Sequence, residues 1–239
     1  LVGSEMCIRD RFRNGSMYLT YTNEGMPIGA FWGYKTDGLI QTQEQLNAVK
    51  RADFQPNAEL GDVLFVDTNG DGKLDSSDRC MIGNPIPDII YGINMGMAWK
   101  GFDLNLQFGG TIGNQIFNAM RYYTYFPNDI TNKDRALMNY WTPNNTNTDI
   151  PRLTATDVND NDRFSDMYVE NGTYFRLRNA QLGYTLPASL TQRIKLQKVR
   201  FYVSGQNLFT ISSYSGMDPE VGQSSSLSRG IDYGIYPQN

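Results

Sequence analysis

Long runs of alternating apolar and polar residues are the clearest pattern in this chain of 239 residues. Between Ile89 and Phe108, apolar side chains take every second position on both sides of a short break at Lys100 and Gly101. A period of two is typical of a β-strand with two unlike faces, and two such runs joined by about two residues predict a hairpin. The pattern therefore predicts a pair of long antiparallel strands within 89–112.

Two further β-rich runs follow at 173–186 and 199–211. The second alternates cleanly, whereas the first shifts its apolar parity near Asn179. The connection between them, 187–198, is short, so these runs predict a second antiparallel pair.

The length of the strands favours a membrane barrel. A strand of roughly ten residues can cross a bilayer, whereas an average strand in a soluble sheet has about five or six. Trp99 and Phe102 flank the tight turn, where an aromatic girdle would lie. We therefore predict an all-β fold, part of a transmembrane antiparallel β-barrel. The alternative is a secreted, calcium-stabilised β-sandwich that binds glycans, in which the apolar face meets a second sheet.

Long polar segments separate the predicted strands. The stretches 14–88, 113–172 and 212–239 are rich in Asn, Asp, Gly and Pro. Short turns alternating with long loops are typical of outer-membrane barrels. We expect 61–88, 113–172 and 212–239 to lie in extracellular loops, with a short helix possible at 132–141. An aromatic cluster in the second loop could stack on sugar rings or simply pack the loop: Tyr122, Tyr123, Tyr125 and Phe126.

One segment has the spacing of a calcium loop. The run 67–78 reads DTNGDGKLDSSD and places oxygen ligands at positions 1, 3, 5, 7, 9 and 12 of a twelve-residue loop, with Gly72 at position 6. Calcium needs six to eight oxygens, and this spacing wraps them around one point. The predicted ligands are Asp67, Asn69, Asp71, the Lys73 carbonyl, Asp75 and Asp78.

The loop departs from an EF-hand at its end. Position 12 is Asp78, which is shorter than the usual Glu, and the residues that follow cannot form an exit helix. An Asx-turn loop without an ion is the alternative interpretation. A bound calcium would have a structural role, because the loop offers no evident open position.

Composition removes several classes of protein. The chain has no His, which excludes Ser-His-Asp triads and His-ligated zinc, and no catalytic set of residues stands out, so we expect no enzyme. Its 21 basic and 25 acidic side chains give a net charge of −4, and the basic residues are not gathered on one segment, so no nucleic-acid partner is expected.

Residues 1–11 resemble a translated sequencing adaptor and are left out of the fold prediction.

Several blocks within 26–238 resemble, in order, the C-terminal part of the SusC/RagA family of TonB-linked outer-membrane transporters. The matching blocks are PIGAFWGYKTDGLIQTQEQ, GDVLFVDTNGDGKLDSSDRCMIGNPIPDIIYGINMGMAWKGFDLNLQFGGTIGN, YWTPNNTNTDIPRL, YVENGTYFRLRNAQLGYTLP and NLFTISSYSGMDPEVG.

This resemblance implies that residues 12–239 come from the C-terminal part of a barrel of about 22 strands that lies in the outer membrane, in contact with its lipid. It implies import of an oligosaccharide or peptide, together with a SusD-like surface lipoprotein and with energy from TonB. The family's signal sequence, TonB box and plug are not found in these residues, so contact with TonB would involve the absent N-terminal region. The family also has one last strand after the position of Asn239, which we expect to be missing.

Overall fold

The computed structural model describes residues 13–14, 17–125, 132–221 and 226–234. The chain divides into two compact units. The sheet unit contains the described residues of Pro87–Asn114 and Asn171–Glu220. The loop unit contains those of Leu1–Ile86, Gln115–Glu170 and Val221–Ile235.

Strands dominate the secondary structure of the described residues. They are β1 (Arg13–Asn14), β2 (Met17–Tyr18), β3 (Thr20–Tyr21), β4 (Ala30–Gly33), β5 (Thr36–Leu39), β6 (Val63–Phe65), β7 (Cys80–Gly83), β8 (Ile89–Trp99), β9 (Phe102–Ile112), β10 (Gln115–Asn118), β11 (Val169–Asn171), β12 (Tyr174–Thr185), β13 (Arg200–Ser212) and β14 (Ile231–Asp232).

Helices are short. The α-helices are α1 (Gln43–Arg51), α2 (Ala119–Tyr125) and α3 (Ala188–Thr191). Turns of 3₁₀-helix lie at Ser76–Asp78, Arg135–Asn139, Asp166–Tyr168, Gln192–Ile194 and Ser226–Ser228. In the part of the chain that the structure describes, no helix has the length and apolar character needed to span a membrane.

The sheet unit is a four-stranded antiparallel sheet in the order β13, β12, β9, β8. Its strands are 11 to 13 residues long, and the predicted antiparallel all-β fold class is confirmed. Lys100 (φ 48°) and Gly101 (φ 90°) form the tight turn between β8 and β9. The N–H of Thr185 donates to the carbonyl of Gly101 at 2.7 Å, which ties this turn to the end of β12.

A β-bulge explains the parity shift near Asn179. Leu177 pairs with Phe108 and Asn179 pairs with Gln107, so Arg178 is an additional residue in β12. A bulge inserts one residue into a strand and restores the original alternation beyond it. The apolar residues on both sides of the bulge therefore lie on one face.

The long polar segments fold around cores of their own in the loop unit. Small sheets form from β3, β4 and β7, from β5 and β6, and from β10, β11 and β14. One buried cluster consists of Leu19, Phe31, Ile82, Phe117, Ala119, Phe164, Tyr168 and Ile231. A second consists of Leu39, Phe54, Val63, Phe65 and Trp141. Burial of so many large side chains makes this unit a folded body rather than a set of free loops.

Local signals set α1, the longest helix in the described part of the loop unit. Thr42 caps α1 by accepting from the N–H of Gln45, whose side chain accepts in return from the N–H of Thr42. This capping box satisfies backbone donors that the first turn leaves free. Leu46 is the buried residue of the helix and packs with Ile40 and Ala58.

Gly61 lies where backbone conformation and packing both require glycine. Its φ is 86°, and a Cβ atom there would overlap the ring of Trp141. The N–H of Gly61 donates to the carbonyl of Ile40 at 2.7 Å, and its own carbonyl accepts from the N–H of Arg152. The position thus joins three distant segments of the loop unit.

Gly61→Ala should lower the free energy of unfolding by about 2 to 4 kcal/mol, because the left-handed backbone and the overlap with Trp141 both add cost. Urea unfolding of the chain in nonionic detergent, followed by tryptophan fluorescence, would measure the loss. Gly25→Ala is the matched control, since Gly25 has φ 78° and open space around its Cβ position. Equal losses in the two variants would show that packing against Trp141 is unimportant.

Candidate functional site

One face of the four-stranded sheet carries aliphatic side chains across all four strands. Pairing places Met97 opposite Leu104, Leu104 opposite Leu182, and Leu182 opposite Val203. Met97 exposes 66% of its surface and Val203 exposes 78%. A continuous apolar patch of this kind is rare on a water-soluble surface and marks an interaction with lipid or with another protein.

Aromatic rings border this aliphatic band at both ends. Near the long loops, Phe175 stacks on Phe108 with ring centroids 5.2 Å apart and lies 6.4 Å from Tyr91. Near the tight turn, Phe102 pairs with Trp99 across the hairpin. Eight residues separate the two belts along β8, or about 27 Å at 3.4 Å per residue, and a strand tilt of about 40° reduces this to about 20 Å. That spacing is close to the apolar band of an outer-membrane barrel, which is about 25 Å.

The opposite face of the sheet is polar. Gln107 pairs with both Asn94 and Asn179, and Asn105 pairs with Gly96 and Gln181. The alternation along each strand therefore places the aliphatic residues and these polar residues on opposite faces of the sheet. We call the aliphatic side the outer face and this one the inner face.

An ion pair crosses one whole strand on the inner face. The Nε of Arg200 in β13 donates to Asp103 Oδ1 in β9 at 3.0 Å, over the intervening strand β12. Gly183 occupies β12 at the crossing point, and a Cβ there would lie 2.5 Å from Arg200 Nη2 and 2.6 Å from Asp103 Oδ1. The absence of a side chain at Gly183 is what lets the two charged groups meet.

A second ionic group lies at the other end of the inner face. The guanidinium of Arg176 is nearly buried and donates to Thr210 Oγ1 at 2.8 Å, to Glu220 Oε2 at 2.9 Å and to the carboxylate of Asp218. Arg178 also donates to Glu220, at 3.0 Å. These contacts fasten the segment that follows β13 to the sheet.

The first carboxylate of the predicted calcium loop organises the loop backbone. Asp67 accepts from the N–H groups of Gly70 at 2.7 Å and Gly72 at 2.8 Å. The bond from Gly72 is the main cause that lowers the pKa of Asp67 below its usual value, so this carboxylate is ionised at neutral pH. At the other end of the loop, the buried Asp78 accepts from the N–H of Thr68 at 3.0 Å and from that of Asp75 at 3.0 Å.

The middle ligands form a series of Asx turns. Asn69 accepts from the N–H of Asp71, and Asp71 accepts from the N–H of Lys73. Asp75 accepts from the hydroxyl and the N–H of Ser77, which lower its pKa. The six predicted ligands thus share one compact loop. Among the described residues, however, no group of three or more His, Cys, Asp or Glu side chains is arranged to hold a metal ion. The calcium site stays a prediction.

The loop is coupled to the rest of its unit through an apolar side chain. Leu74, at position 8, packs against the buried cluster that contains Phe65 and Trp141. Any change in the order of the loop should therefore reach the core of the loop unit.

A buried polar network that sequence reasoning did not identify lies in the same unit. Asp62 is fully buried; it accepts from Arg152 Nε at 2.6 Å and from Asn161 Nδ2 at 3.1 Å. Asn161 also accepts from the N–H of Val63 at 2.9 Å. The dense run of Asn and Asp at 157–162 is the sequence feature that could have indicated this network, but its partner Asp62 lies nearly a hundred residues away.

The surroundings of two carboxylates of this run disfavour their ionised form. Burial raises the pKa of Asp157, and the nearby charges of Asp62 and Asp160 raise it further. Burial also raises the pKa of Asp162, with a further contribution from the charge of Asp157. Ionisation of these two groups therefore works against the folded state.

The aromatic cluster of the second long segment is part of the core. Tyr122 contacts Phe117, Phe164 and Tyr168, with ring centroids 4.9 to 6.5 Å apart. Burial raises the pKa of Tyr122 to about 12. Tyr122 and Tyr123 pack against the core of the loop unit, whereas Phe126 lies outside the described residues.

Comparison with curated proteins identifies relatives along most of the chain. It is 39% identical over 224 residues, 90% of its length, to TonB-dependent receptor P3 of Formosa agariphila, and 30% identical over 186 residues, 77% of its length, to TonB-dependent receptor SusC of Bacteroides thetaiotaomicron. The chain belongs to the SusC/RagA type of TonB-dependent receptors. It covers 21% of the P3 receptor and 17% of SusC, so it corresponds to about a fifth of such a receptor.

Solved structures agree with the fold. The RagAB peptide transporter matches 96% of this receptor segment with a TM-score of 0.70 and 24% identity, and the segment covers 23% of that chain. The RagAB peptide importer in its open-open state matches 95% of the segment, and 23% of its own chain is covered, with a TM-score of 0.67 and 25% identity. No protein-family model matches the chain. The named relatives are receptors and transporters, in agreement with the expectation of no enzyme.

Asp162→Asn should stabilise the receptor segment at pH 7 and lose this advantage at lower pH. Because the pKa of Asp162 is raised in the folded state, the protonated carboxyl stabilises the fold. This stabilisation is full below the unfolded-state pKa of about 3.9 and is lost as the pH rises through the folded-state pKa. Unfolding by urea at a series of pH values between about 4 and 7 would show the trend. Asp37→Asn, at an exposed position, is the control, and identical pH profiles for the two variants would contradict the prediction.

Proposed function

We propose that this receptor segment forms part of the wall of an outer-membrane barrel that imports nutrients. The observation that supports it most directly is the outer face of the sheet, where exposed aliphatic residues lie between two aromatic belts. A secreted β-sandwich would need a second sheet to cover these side chains, and Met97 and Val203 stay mostly exposed.

The substrate in this proposal is an oligosaccharide or a peptide. The similar solved structures support import, because they are those of a peptide transporter and a peptide importer. We further propose that the parent receptor acts with a SusD-like surface lipoprotein and takes energy from TonB through its N-terminal region. Contact with outer-membrane lipid would be made by the outer face of the sheet.

A charge on the outer face should prevent assembly, whereas a charge on the inner face should be tolerated. Near the middle of the bilayer, a lysine facing lipid costs about 2 to 4 kcal/mol, and one facing a polar lumen does not. Leu104→Lys and Gln107→Lys in the full-length receptor are the matched pair, since both residues lie in β9 on opposite faces. Outer-membrane abundance after fractionation would give the result.

Growth on candidate nutrients completes this test. The Leu104→Lys strain should lose both the barrel and growth on the imported nutrient, while the Gln107→Lys strain keeps the barrel. Equal abundance of the two variants would contradict the membrane assignment. A gene deletion that leaves uptake of every glycan and peptide unchanged would contradict the role in import.

We also propose that the loop 67–78 binds one calcium ion in a structural role. Its support is the twelve-residue spacing, the ionised state of Asp67 and Asp75, and the Asx turns that already orient the side chains. Because Leu74 joins the loop to the core, binding should stabilise the loop unit.

Calcium should raise the urea midpoint of the whole receptor segment in detergent, and Asp71→Ala should abolish the increase. Magnesium should act weakly, because its smaller octahedral shell suits so many carboxylates poorly. Asp37→Ala is the control for a lost negative charge, as Asp37 is exposed and lies outside the loop. An equal response to calcium in the wild type and in Asp71→Ala would rule out the site.

A further inference from the structure

Basic residues gather at one end of the sheet unit, although the chain as a whole is acidic. The connection 187–198 contributes Arg193, Lys195 and Lys198, and the tight turn of the first hairpin contributes Lys100. The bond from Thr185 to Gly101 and that from Leu186 to Val199 hold both connections at this end of the sheet. The fold thus adds Lys100 to three charges that already lie close together in the connection, and we call these four residues the basic end.

The four cations of the basic end are exposed. None of them forms a salt bridge with any residue in the described part of the chain. Asp103 is the one acidic residue within 96–104 and 182–204, and it is already paired with Arg200. A net charge of about four units therefore remains unneutralised at one end of a chain whose total charge is −4.

Apolar side chains lie beside these charges. The connection exposes Leu190 and Leu196, each about half accessible, and the tight turn exposes Trp99. The Nζ of Lys100 lies 4.8 Å from the centre of the Trp99 ring, which fixes a cation directly at the aromatic belt. Basic and apolar side chains next to an aromatic belt are typical of a surface that lies at a membrane interface.

We propose that the basic end binds the headgroups of anionic phospholipids in the leaflet that it faces. Charge complementarity selects this partner, because lipid phosphates supply several negative charges in one plane, and the exposed Leu190 and Leu196 would contact the acyl boundary. The inference rests on the proposed membrane placement of the sheet. Its role would be to fix the depth and tilt of the two hairpins in the bilayer.

Vesicle binding tests this proposal with the full receptor segment. The protein is diluted from nonionic detergent into vesicles of phosphatidylcholine alone or with about a quarter of phosphatidylglycerol, and binding is read by flotation. The wild type should bind the anionic vesicles at least about tenfold more tightly, since each basic residue near the surface adds attraction. Excess inorganic phosphate at matched ionic strength should not displace it, which separates a lipid surface from a site for free phosphate.

Two variants with equal charge changes make the test specific. Replacing Lys100, Arg193, Lys195 and Lys198 by Gln should remove the preference for anionic vesicles. The control replaces four exposed basic residues of the loop unit by Gln and should keep the preference: Lys35, Lys50, Arg51 and Arg135.

The outcomes separate this proposal from the one on which it rests. Protection of the hairpins from protease in phosphatidylcholine vesicles reports membrane insertion by itself. Insertion without a preference for phosphatidylglycerol, or with a preference that the basic-end variant retains, would overturn the lipid proposal alone. Failure to insert into vesicles of either composition would overturn both.

Discussion

The pairing register of four long strands is the constraint on which the sheet unit depends. Because side chains alternate between faces, a slip of one residue would turn the aliphatic rows of β8 and β9 toward the inner face. The bulge at Arg178 is the device that keeps β12 in step with β9, and Asn207, with φ 49°, lies at the matching irregularity of β13. One additional residue thus preserves the separation of apolar and polar surfaces across the sheet.

A feature of the fold can be predicted from sequence when the residues that form it lie close together along the chain. The period of two in 89–112 is local, so the hairpin and its two faces follow from the chain itself. The core of the loop unit is not local: Thr36 donates to Asp166 across 130 residues of sequence, and Phe31 packs with Phe117. No pattern within either segment indicates such a partner, which explains why the sequence predicts polar loops for these stretches.

The acidic residues of the candidate sites can likewise be predicted only where they lie close together in sequence. All six predicted calcium ligands fall within twelve residues, so spacing alone predicts them. Arg152 and Asn161 are far from Asp62 in sequence, and only the fold supplies them as its partners. Environment also sets opposite pKa shifts for chemically identical groups: donated hydrogen bonds lower the pKa of Asp67, whereas burial raises that of Asp162.

The cations of the sheet unit differ in how they are paired. On the inner face, Arg176 and Arg200 are each paired with carboxylates, and the nearly buried Arg176 needs them because a charge removed from water is costly without a partner. Gly183 makes one of these matches possible by leaving the path across β12 open. In the turn and the connection that form the basic end, water is available, so no such pairing is required and the cations form no salt bridge within the described part of the chain. Such cations beside the aromatic belt are then available to an outside partner, and the proposed membrane placement of the sheet would put them next to the plane of lipid phosphates.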